Sequence, residues 1–556
     1  MKMNGAEITI KLLEQQGITR ISGIPGGANL PLYDALAASS IQHILTRHEQ
    51  GAGFIAQGMA RVTGKPAVCF ASSGPGSTNL ITAIADANMD SIPVIAITGQ
   101  VAKSLIGSDA FQEVDTFGLM LPITKHNFLV RSAEELLEVM PEAFRIAMSG
   151  RPGPVSIDIP KDVQLQQIEF DALPQSGEAD ELSAAKESEI EKIQKMLGES
   201  ERPVLMIGGG IIHAECHQEM IEFAESNDIP VVSTFMGLGT MPTDHPLFLG
   251  MLGMHGARYT NMVLEECDLL VGAGVRFDDR ATGKASEFCP QAAIIHIDID
   301  PSELGKIKTP KLAVQADIGS TLRAMLEHGI KQPRTGWRER VEFLKQRFPL
   351  LINTDNGLFA PYGLLQYLAE AVDSDANIVT DVGQHQMWTA QVYPFKRPRQ
   401  WLSSGGLGTM GFGLPAAIGA AFEQPERLTL CISGDGSLMM NIQELNTAVE
   451  HDLNVKVVIM NNRYLGLVRQ QQALFYGERF HGINNVKPVN FAALANAMGA
   501  SGFDLGRADD PQVMLQEALS TPGPCVIDVP ISEKEMVFPM VPPGAANKEM
   551  IGGTSA

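Results

Sequence analysis

The chain has 556 residues, 44% hydrophobic and 19% charged, with a formal net charge of −22 at pH 7. That length allows about three or four domains with ample core, and the acidic balance argues against nucleic acid or an anionic membrane surface as a partner. The six cysteines are scattered with no CxxC pair, so they read as buried small apolar residues in a reducing compartment and not as disulfides or a zinc site.

The N-terminal MKMNGAEITIKLLEQQG reads as a domain's first amphipathic helix, not a signal or transit peptide, so a cytoplasmic setting is expected. Residues 1–163 alternate apolar strand runs (HILT, AVCFAS, PVIAIT, VSIDIP) with helical stretches. That alternation predicts a doubly wound parallel α/β sheet. Residues 164–188 are polar and acidic, a linker. A second α/β pattern fills 189–330, and 331–358 is a charged connection with few strand signals. A third α/β block takes 359–530, and 531–556 is an aperiodic, extended tail. Trp401–Phe422 is uncharged and about long enough to span a bilayer. Its six glycines, Pro415 and polar start instead predict a loop feeding a buried helix.

Two short segments recur. Pro152–Pro160 (PGPVSIDIP) returns as Pro522–Pro530 (PGPCVIDVP), and Ser73–Ser77 (SGPGS) as Ser433–Ser437 (SGDGS), at offsets of 370 and 360 residues. The shared order predicts one topology for the first and third blocks, with chance similarity of Gly/Pro-rich turns as the alternative. Pro75 stands where the third block has Asp435, so only the third can hold a metal.

Gly434-Asp435-Gly436 follows the apolar run Leu428–Ile432, and VKVVIMNN ends at Asn461-Asn462, 27 residues beyond Asp435. A strand–helix–strand crossover takes about 30 residues and returns the chain parallel to its start. Asp435 and Asn462 can therefore face each other at one sheet edge. A carboxylate plus an amide oxygen suits Mg²⁺, which keeps water and phosphate oxygens as its other ligands. Gly434 and Gly436, followed by Ser437, let backbone N–H groups approach a diphosphate. GDG alone reads as an ordinary turn, but GDG with NN at this spacing resembles the signature of thiamine-diphosphate (ThDP) enzymes. In the first block, Glu49 of RHEQG opens a helix after the strand IQHILT. It is the candidate acid for the aminopyrimidine end of such a cofactor, against a helix-start glutamate favoured by the dipole.

RHEQGAGFIAQGMAR, SGPGSTNLITAIADA, DAFQEVD, SGRPGPVSIDIPKDV, GMLGMHG, RFDDR, TDVGQHQMW, GLGTMGFGLPAAIGAA, GDGSLMMNIQEL and MVPPGAAN together resemble the catalytic large subunit of acetohydroxyacid (acetolactate) synthase, through essentially the whole chain. The resemblance implies Glu49 beside the cofactor's N1′, and Asp435, Asn462 and the Tyr464 carbonyl on Mg²⁺. It also implies Met410 as a wedge under the cofactor, the Gly408 carbonyl as acceptor of the 4′-amino proton, and Gly383, Gln384 and His385 around the diphosphate. The middle block resembles the family's FAD domain. There Gly208-Gly209-Gly210 follows the strand VLMI, a weak dinucleotide turn on its own. Leu252, Gly253, Met254, His255, Arg276, Asp278, Arg280, Asp298, Ile299, Asp317 and Arg151 would complete the flavin site.

The implied reaction decarboxylates pyruvate, leaves a hydroxyethyl carbanion on ThDP, and joins it to a second pyruvate or to 2-ketobutyrate. Arg276 would hold the acceptor carboxylate, and Phe111, Gln112 and Lys161 would line the pocket from a neighbouring subunit of a homodimer or homotetramer. One departure stands out. The family's GMVxQW run is here Gly466-Leu467-Val468-Arg469-Gln470-Gln471, so Gln471 replaces the tryptophan that selects 2-ketobutyrate and contacts herbicides. A weak preference for 2-ketobutyrate follows. No small-molecule regulatory domain follows residue 530, so feedback control would need a separate small subunit. Catabolic acetolactate synthase, pyruvate oxidase and other ThDP carboligases are the alternatives within the fold. A non-catalytic paralogue would have lost Glu49, Asp435 or Asn462, and all three are present.

Overall fold

The computed structural model describes residues 1–327, 332–485 and 487–553. The expected boundary at 330/331 and the last three residues lie outside them.

Asn4 caps the first helix, Gly5–Gln15, with a capping box to Glu7. The first block contributes β1 (Lys2–Asn4), β2 (Arg20–Gly23), β3 (Gln42–Leu45), β4 (Ala67–Ala71), β5 (Val94–Gln100), β6 (His126–Leu129), β7 (Val155–Pro160) and β8 (Gln167–Glu169). Six of these form a parallel sheet in the order β3-β2-β4-β5-β7-β6, while β1 and β8 pair antiparallel beside it. β8 lies in the segment expected to be a plain linker; three residues pairing with three others leave too short a pattern to read. The middle block contributes β9 (Pro203–Ile207), β10 (Val231–Ser233), β11 (Phe248–Met251), β12 (Leu269–Ala273), β13 (Ala293–Asp298) and β14 (Leu312–Gln315). They form a parallel sheet ordered β11-β10-β9-β12-β13-β14, the dinucleotide-fold order. The third block contributes β15 (Asn377–Thr380), β16 (Trp401–Leu402), β17 (Thr429–Gly434), β18 (Val455–Asn461), β19 (Ser501–Asp504) and β20 (Cys525–Pro530). Their order, β16-β15-β17-β18-β20-β19, repeats strand for strand that of the first block. The repeated sequence segments fall on equivalent places, β7 with β20 and the turn after β4 with the turn after β17. All six cysteines are free and buried.

Between the second and third sheets, the helix Thr335–Arg347 buries Trp337, Val341 and Leu344 in the core of the middle block. The expected connection is thus partly a packed helix, whose one apolar stripe is diluted by eight polar or charged neighbours of no strand character. The tail crosses back to the middle block. Asn547 donates to the Ala281 carbonyl at 2.9 Å, and Val541 N–H donates to the Met254 carbonyl at 2.9 Å. No helix among the described residues is long and apolar enough to cross a membrane.

The first and third blocks join through two helices, Glu49–Thr63 and Gly413–Glu423. Phe54, Ile55 and Met59 share a continuous core with Leu414, Ile418 and Phe422. The crossing is close because glycines lie at it. A Cβ on Gly58 would stand 2.1 Å from the Ala416 carbonyl oxygen, and one on Gly419 would stand 2.1 Å from the Ile55 carbonyl oxygen. Backbone cannot yield as a side chain tip can. Gly58→Val is therefore expected to destabilise the chain by about 1–3 kcal/mol, whereas Gly336→Ala, where nothing stands within 4 Å, leaves stability unchanged or slightly raised. Thermal unfolding of the two variants checks this.

Candidate active site

In the third block the strand order reverses between β15 and β17, so the loops after these strands diverge and leave a crevice. Asp381–Gly383 and the start of the helix Gln384–Val392 follow β15, and the short helix Asp435–Leu438 follows β17, which ends at Gly434. Next to β17 lies β18, in parallel register with Gly434 opposite Met460. Asp435 and Asn462 thus leave the sheet at the same edge. The expected single helix between them is instead two short ones, Asp435–Leu438 and Leu445–Glu450.

Asp435 is buried, and its Oδ2 accepts from Asn485 Nδ2 at 2.9 Å. Burial raises its carboxyl above the ordinary range, offset in part by Asn485 and by nearby backbone N–H groups that include Arg463 and Asn462. No lysine or arginine pairs with it among the described residues, so no protein cation meets this buried carboxyl. Asn462 donates through Nδ2 to Gln384 Oε1 at 3.1 Å, which fixes which end of its amide is the oxygen, and that oxygen accepts from Tyr464 N–H at 3.0 Å. Asp435, Asn462 and a backbone carbonyl such as Tyr464 make an all-oxygen set suited to Mg²⁺. No cluster of three His, Cys, Asp or Glu side chains able to hold a metal exists among the described residues.

His385 is buried, its Nε2 has no partner, and burial pushes its pKa down to about 3. It is a neutral imidazole with an unused nitrogen. A Cβ on Gly434 would meet this ring at 3.0 Å and one on Gly383 at 2.6 Å, so the two glycines make its room. The helix Gln384–Val392 also starts here, with free N–H groups suited to an anion. Gln384 itself is committed to protein, donating to Gln470 Oε1 at 3.1 Å and to the Glu535 carbonyl at 2.9 Å. An orphaned imidazole, bare glycine backbone and an uncompensated carboxylate together fit a metal-bound diphosphate.

Met410 Cε lies 3.9 Å from where a Gly436 Cβ would be. Met410 and the diphosphate loop are therefore neighbours, and Gly408, with φ 69°, turns the chain just before it. Sequence reading missed the support below this loop. Asp381 is fully buried, accepts from Gly411 N–H at 2.8 Å and Gly413 N–H at 3.2 Å, and is pushed up to about 6 by burial. Its position directly after a strand, two residues before a glycine, was the available signal.

In the first block, Glu49 begins its helix behind the N-cap His48 and accepts from Asn79 Nδ2 at 2.9 Å. Gly76 of the repeated turn lies beside it, a Cβ there reaching 3.5 Å from Glu49 Oε1. Among the described residues no hydrogen bond joins Glu49 to Asp435, Asn462 or Met410 within the chain. Phe111 is 88% exposed, Lys161 is exposed, and Gln112, with φ 58°, backs onto Gly74. Phe111 and Lys161 face outward from the first block, Gln112 is partly buried, and none of the three lines this chain's own cavity.

A cavity of about 740 Å³ opens at the crevice between β9 and β12 and runs to Gly405–Gly408 of the third block. Gly208, Gly209 and Gly210 line its floor with Gly274, whose Cα stands 2.6 Å from a Gly210 Cβ position. Arg151, Arg276, Asp278 and Arg280 also line it, as do Leu252, Met254 and His255. Gly253 lies behind this wall, where a Cβ would meet the Arg280 carbonyl oxygen at 2.2 Å. Asp298, Ile299 and Asp317 stand at the end of β13 and beyond. Asp298 is pushed up to about 6 by burial, and Asp317 caps a helix through Ser320 N–H at 2.7 Å. Arg151 is paired with Glu303 at 2.8 Å and with Ser91 at 2.8 Å. His255 is buried with an unpartnered Nδ1 and a pKa pushed down to about 4. Volume, glycine floor and orphaned polar atom fit a dinucleotide. Gln471 is exposed at the cavity mouth beside Leu467 and Gln470.

Three family models match the chain in order: the thiamine pyrophosphate enzyme N-terminal TPP binding domain over 3–119, the central domain over 190–325, and the C-terminal TPP binding domain over 381–529. The chain is 57% identical to the acetolactate synthase isozyme 1 large subunit of Escherichia coli K12, over 99% of this chain and 98% of the relative. It is 46% identical to the isozyme 2 large subunit of the same organism, over 99% of each. It is 44% identical to acetolactate synthase 2, chloroplastic, of Nicotiana tabacum, over 98% of this chain and 85% of the relative. Identity at this level across the full length, over three thiamine-pyrophosphate domains, means that the chain belongs to the acetolactate synthase large-subunit family.

Proposed function

We propose that the chain is the catalytic subunit of an anabolic acetolactate synthase, a ThDP-dependent transferase at the first common step of branched-chain amino-acid synthesis. It would decarboxylate pyruvate and join the remaining two-carbon unit to pyruvate, giving 2-acetolactate, or to 2-ketobutyrate, giving 2-aceto-2-hydroxybutyrate. The observation that carries this reading is the buried Asp435, without a cation partner among the described residues, close to Asn462 and the orphaned His385 at the crevice between β15 and β17.

Bound ThDP supplies the electron sink for decarboxylation. Asp435, Asn462 and the Tyr464 carbonyl would hold Mg²⁺ by oxygen. The Gly434–Ser437 backbone and His385 Nε2 would meet the diphosphate, with Gly383 leaving space and Gln384 acting by orienting the Asn462 amide. Glu49 would hold a proton at a carboxyl oxygen for the aminopyrimidine end, and Met410 would fill the space below that ring. Gly408 would offer its carbonyl to the amino group.

Because no hydrogen bond among the described residues joins Glu49 to the Asp435 set in its own chain, the acid would serve the metal site of a second copy. The smallest active unit would be a homodimer, which could pair into a tetramer. Exposed Phe111, Leu121, Met440 and Tyr476 support a covered face near both sites, and Phe111, Gln112 and Lys161 would then reach the partner's substrate. Arg276, at the cavity and free of any recorded ion pair among the described residues, would fork onto the acceptor carboxylate. The glycine-floored cavity supports FAD in a structural role, since the reaction has no net redox change. The printed name "large subunit" of the relatives supports a separate small regulatory subunit, and the acidic surface supports a cytoplasmic protein that avoids nucleic acid and membrane.

Acetolactate formation from pyruvate, with ThDP, Mg²⁺ and FAD each omitted in turn, tests the reading. Loss of activity with any omission is expected; activity independent of FAD would move the chain to the catabolic synthases, and peroxide formation from pyruvate to the oxidases. Gln471→Trp adds an apolar wall at the cavity mouth. It is expected to raise the ratio of acetohydroxybutyrate to acetolactate by about 10–200-fold, the range for one methylene in an apolar pocket. Product ratios under competition between the two acceptors check this.

A further inference from the structure

Arg61, Asp86 and Asp90 form a buried charge cluster that the chemistry above does not use. Arg61 lies on the helix Glu49–Thr63, and Asp86 and Asp90 lie one turn apart on the helix Pro75–Asp90. Arg61 Nη2 donates to Asp90 Oδ2 at 2.8 Å and reaches Asp86 Oδ1 at 3.5 Å, while its guanidinium lies 4.9 Å from the centre of the Phe412 ring. All three side chains are at most 5% exposed. One cation between two carboxylates leaves an excess negative charge that must be met by further donors.

Those donors come from another block. Asp86 Oδ2 accepts from Ser404 Oγ and from Thr409 Oγ1 at 2.7 Å. Asp90 accepts from Gly405 N–H at 3.0 Å and from Gly406 N–H at 2.7 Å. Thr409 N–H donates to Ser404 Oγ at 2.9 Å and closes the loop on itself. The far end of the same loop is gripped by Asp381 through Gly411 and Gly413. Gly408 and Met410 lie between the two grips and have no hydrogen bond of their own among the described residues. Their position is therefore set by carboxylates on either side, and on one side those carboxylates belong to the first block.

We propose that Asp86 and Asp90, held in place by Arg61, are positioning residues that set Gly408 and Met410 against the aminopyrimidine ring. The inference rests on the reading of this loop as part of the ThDP site. A cluster that merely joins two blocks would not need to hand its carboxylate lone pairs to the hydroxyl of Thr409, one residue from Met410.

The test uses the full-length enzyme with Mg²⁺ and FAD, and the variants Asp86→Asn, Thr409→Val and Thr409→Ser. ThDP affinity is read by quenching of protein fluorescence, the rate of hydrogen–deuterium exchange at C2 of the bound cofactor by NMR after acid quench, and folding by thermal midpoint. Thr409→Val removes one half-exposed hydroxyl and keeps the side chain's shape, so it tests the clamp even if Asp86→Asn does not fold. Thr409→Val is expected to weaken ThDP binding and slow C2 exchange by about tenfold, the scale of one lost hydrogen bond to a charged group. Its midpoint should stay near that of the parent, and Thr409→Ser should restore both readouts. A lowered midpoint with parental affinity and exchange, or a serine variant that behaves like valine, would overturn the proposal. If the parent itself fails to bind ThDP, or Glu49→Gln exchanges as fast as the parent, the functional reading fails and not the clamp.

Discussion

The backbone contact between the helices Glu49–Thr63 and Gly413–Glu423 is the constraint on which the rest depends. Each helix begins where a functional loop ends: the first carries Glu49 at its start, and the second follows Met410 by three residues. With Gly58 against Ala416 and Gly419 against Ile55, the helices sit too close for side chains to set the spacing. Carbonyls and Cα atoms set it instead, and these move least. Carboxylates then fix the two helix starts. Glu444 of the third block accepts from the N–H groups of Arg47 and His48, both at 3.0 Å, just ahead of Glu49. Asp381 does the same for Gly411 and Gly413. Glu49 and Met410 thus both stand beside helices anchored on parallel-sheet scaffolds, which hold geometry better than free loops do.

Buried acids in this chain differ in what neutralises them. Asp381 is met by backbone N–H groups and Ser433. Glu444 is met by two N–H groups and Thr447 Oγ1 at 2.8 Å. Asp86 and Asp90 share Arg61. Asp435 has an amide, some backbone N–H groups and, among the described residues, no cation. An ionised carboxylate left so in the interior is costly. A divalent cation at the same edge would remove that cost, and the neighbouring imidazole with an unused nitrogen would suit an anion beyond it.

Much of this was legible before any coordinates. The repeated PGP and SGxGS segments located the duplicated topology, because turns in parallel α/β units occupy fixed places between strand and helix. The Asp435–Asn462 spacing located one sheet edge, because a crossover has a near-constant length. What could not be read was contact between distant segments. Asp86 and Asp90 look like the polar face of a helix until Arg61 of the preceding helix meets them and the loop at Ser404–Thr409 is brought to them across more than 300 residues. Gln384, expected around the diphosphate, has its amide taken up by Asn462, Gln470 and Glu535. The tail showed no periodicity because its order comes from hydrogen bonds to Ala281, Met254 and Arg258, not from its own secondary structure. β8 and the helix Thr335–Arg347 escaped for a similar reason, each drawing its stability from a partner remote in sequence.

The shape of the large cavity bears on why a reaction without net electron transfer would retain a flavin site. The crevice between β9 and β12 does not face solvent alone. Its far wall is Gly405–Gly408, the loop that leads into Met410, and its mouth is formed by Leu467, Gln470 and Gln471 from the helix that follows Tyr464. Met540 of the tail closes one side, and Gln470 binds that tail by donating to the Val537 carbonyl at 2.9 Å and accepting from its N–H at 2.8 Å. A dinucleotide lying from Gly208–Gly210 toward this loop would fill the space behind Gly405–Gly408. It would act as packing for the loop, opposing the pull of Asp86 and Asp90 from the other side. Without it the loop would have a void on one flank, and a wall missing its packing atoms loses contact energy outright. A dinucleotide seated there would act by its shape, completing the bed behind the loop that leads into Met410.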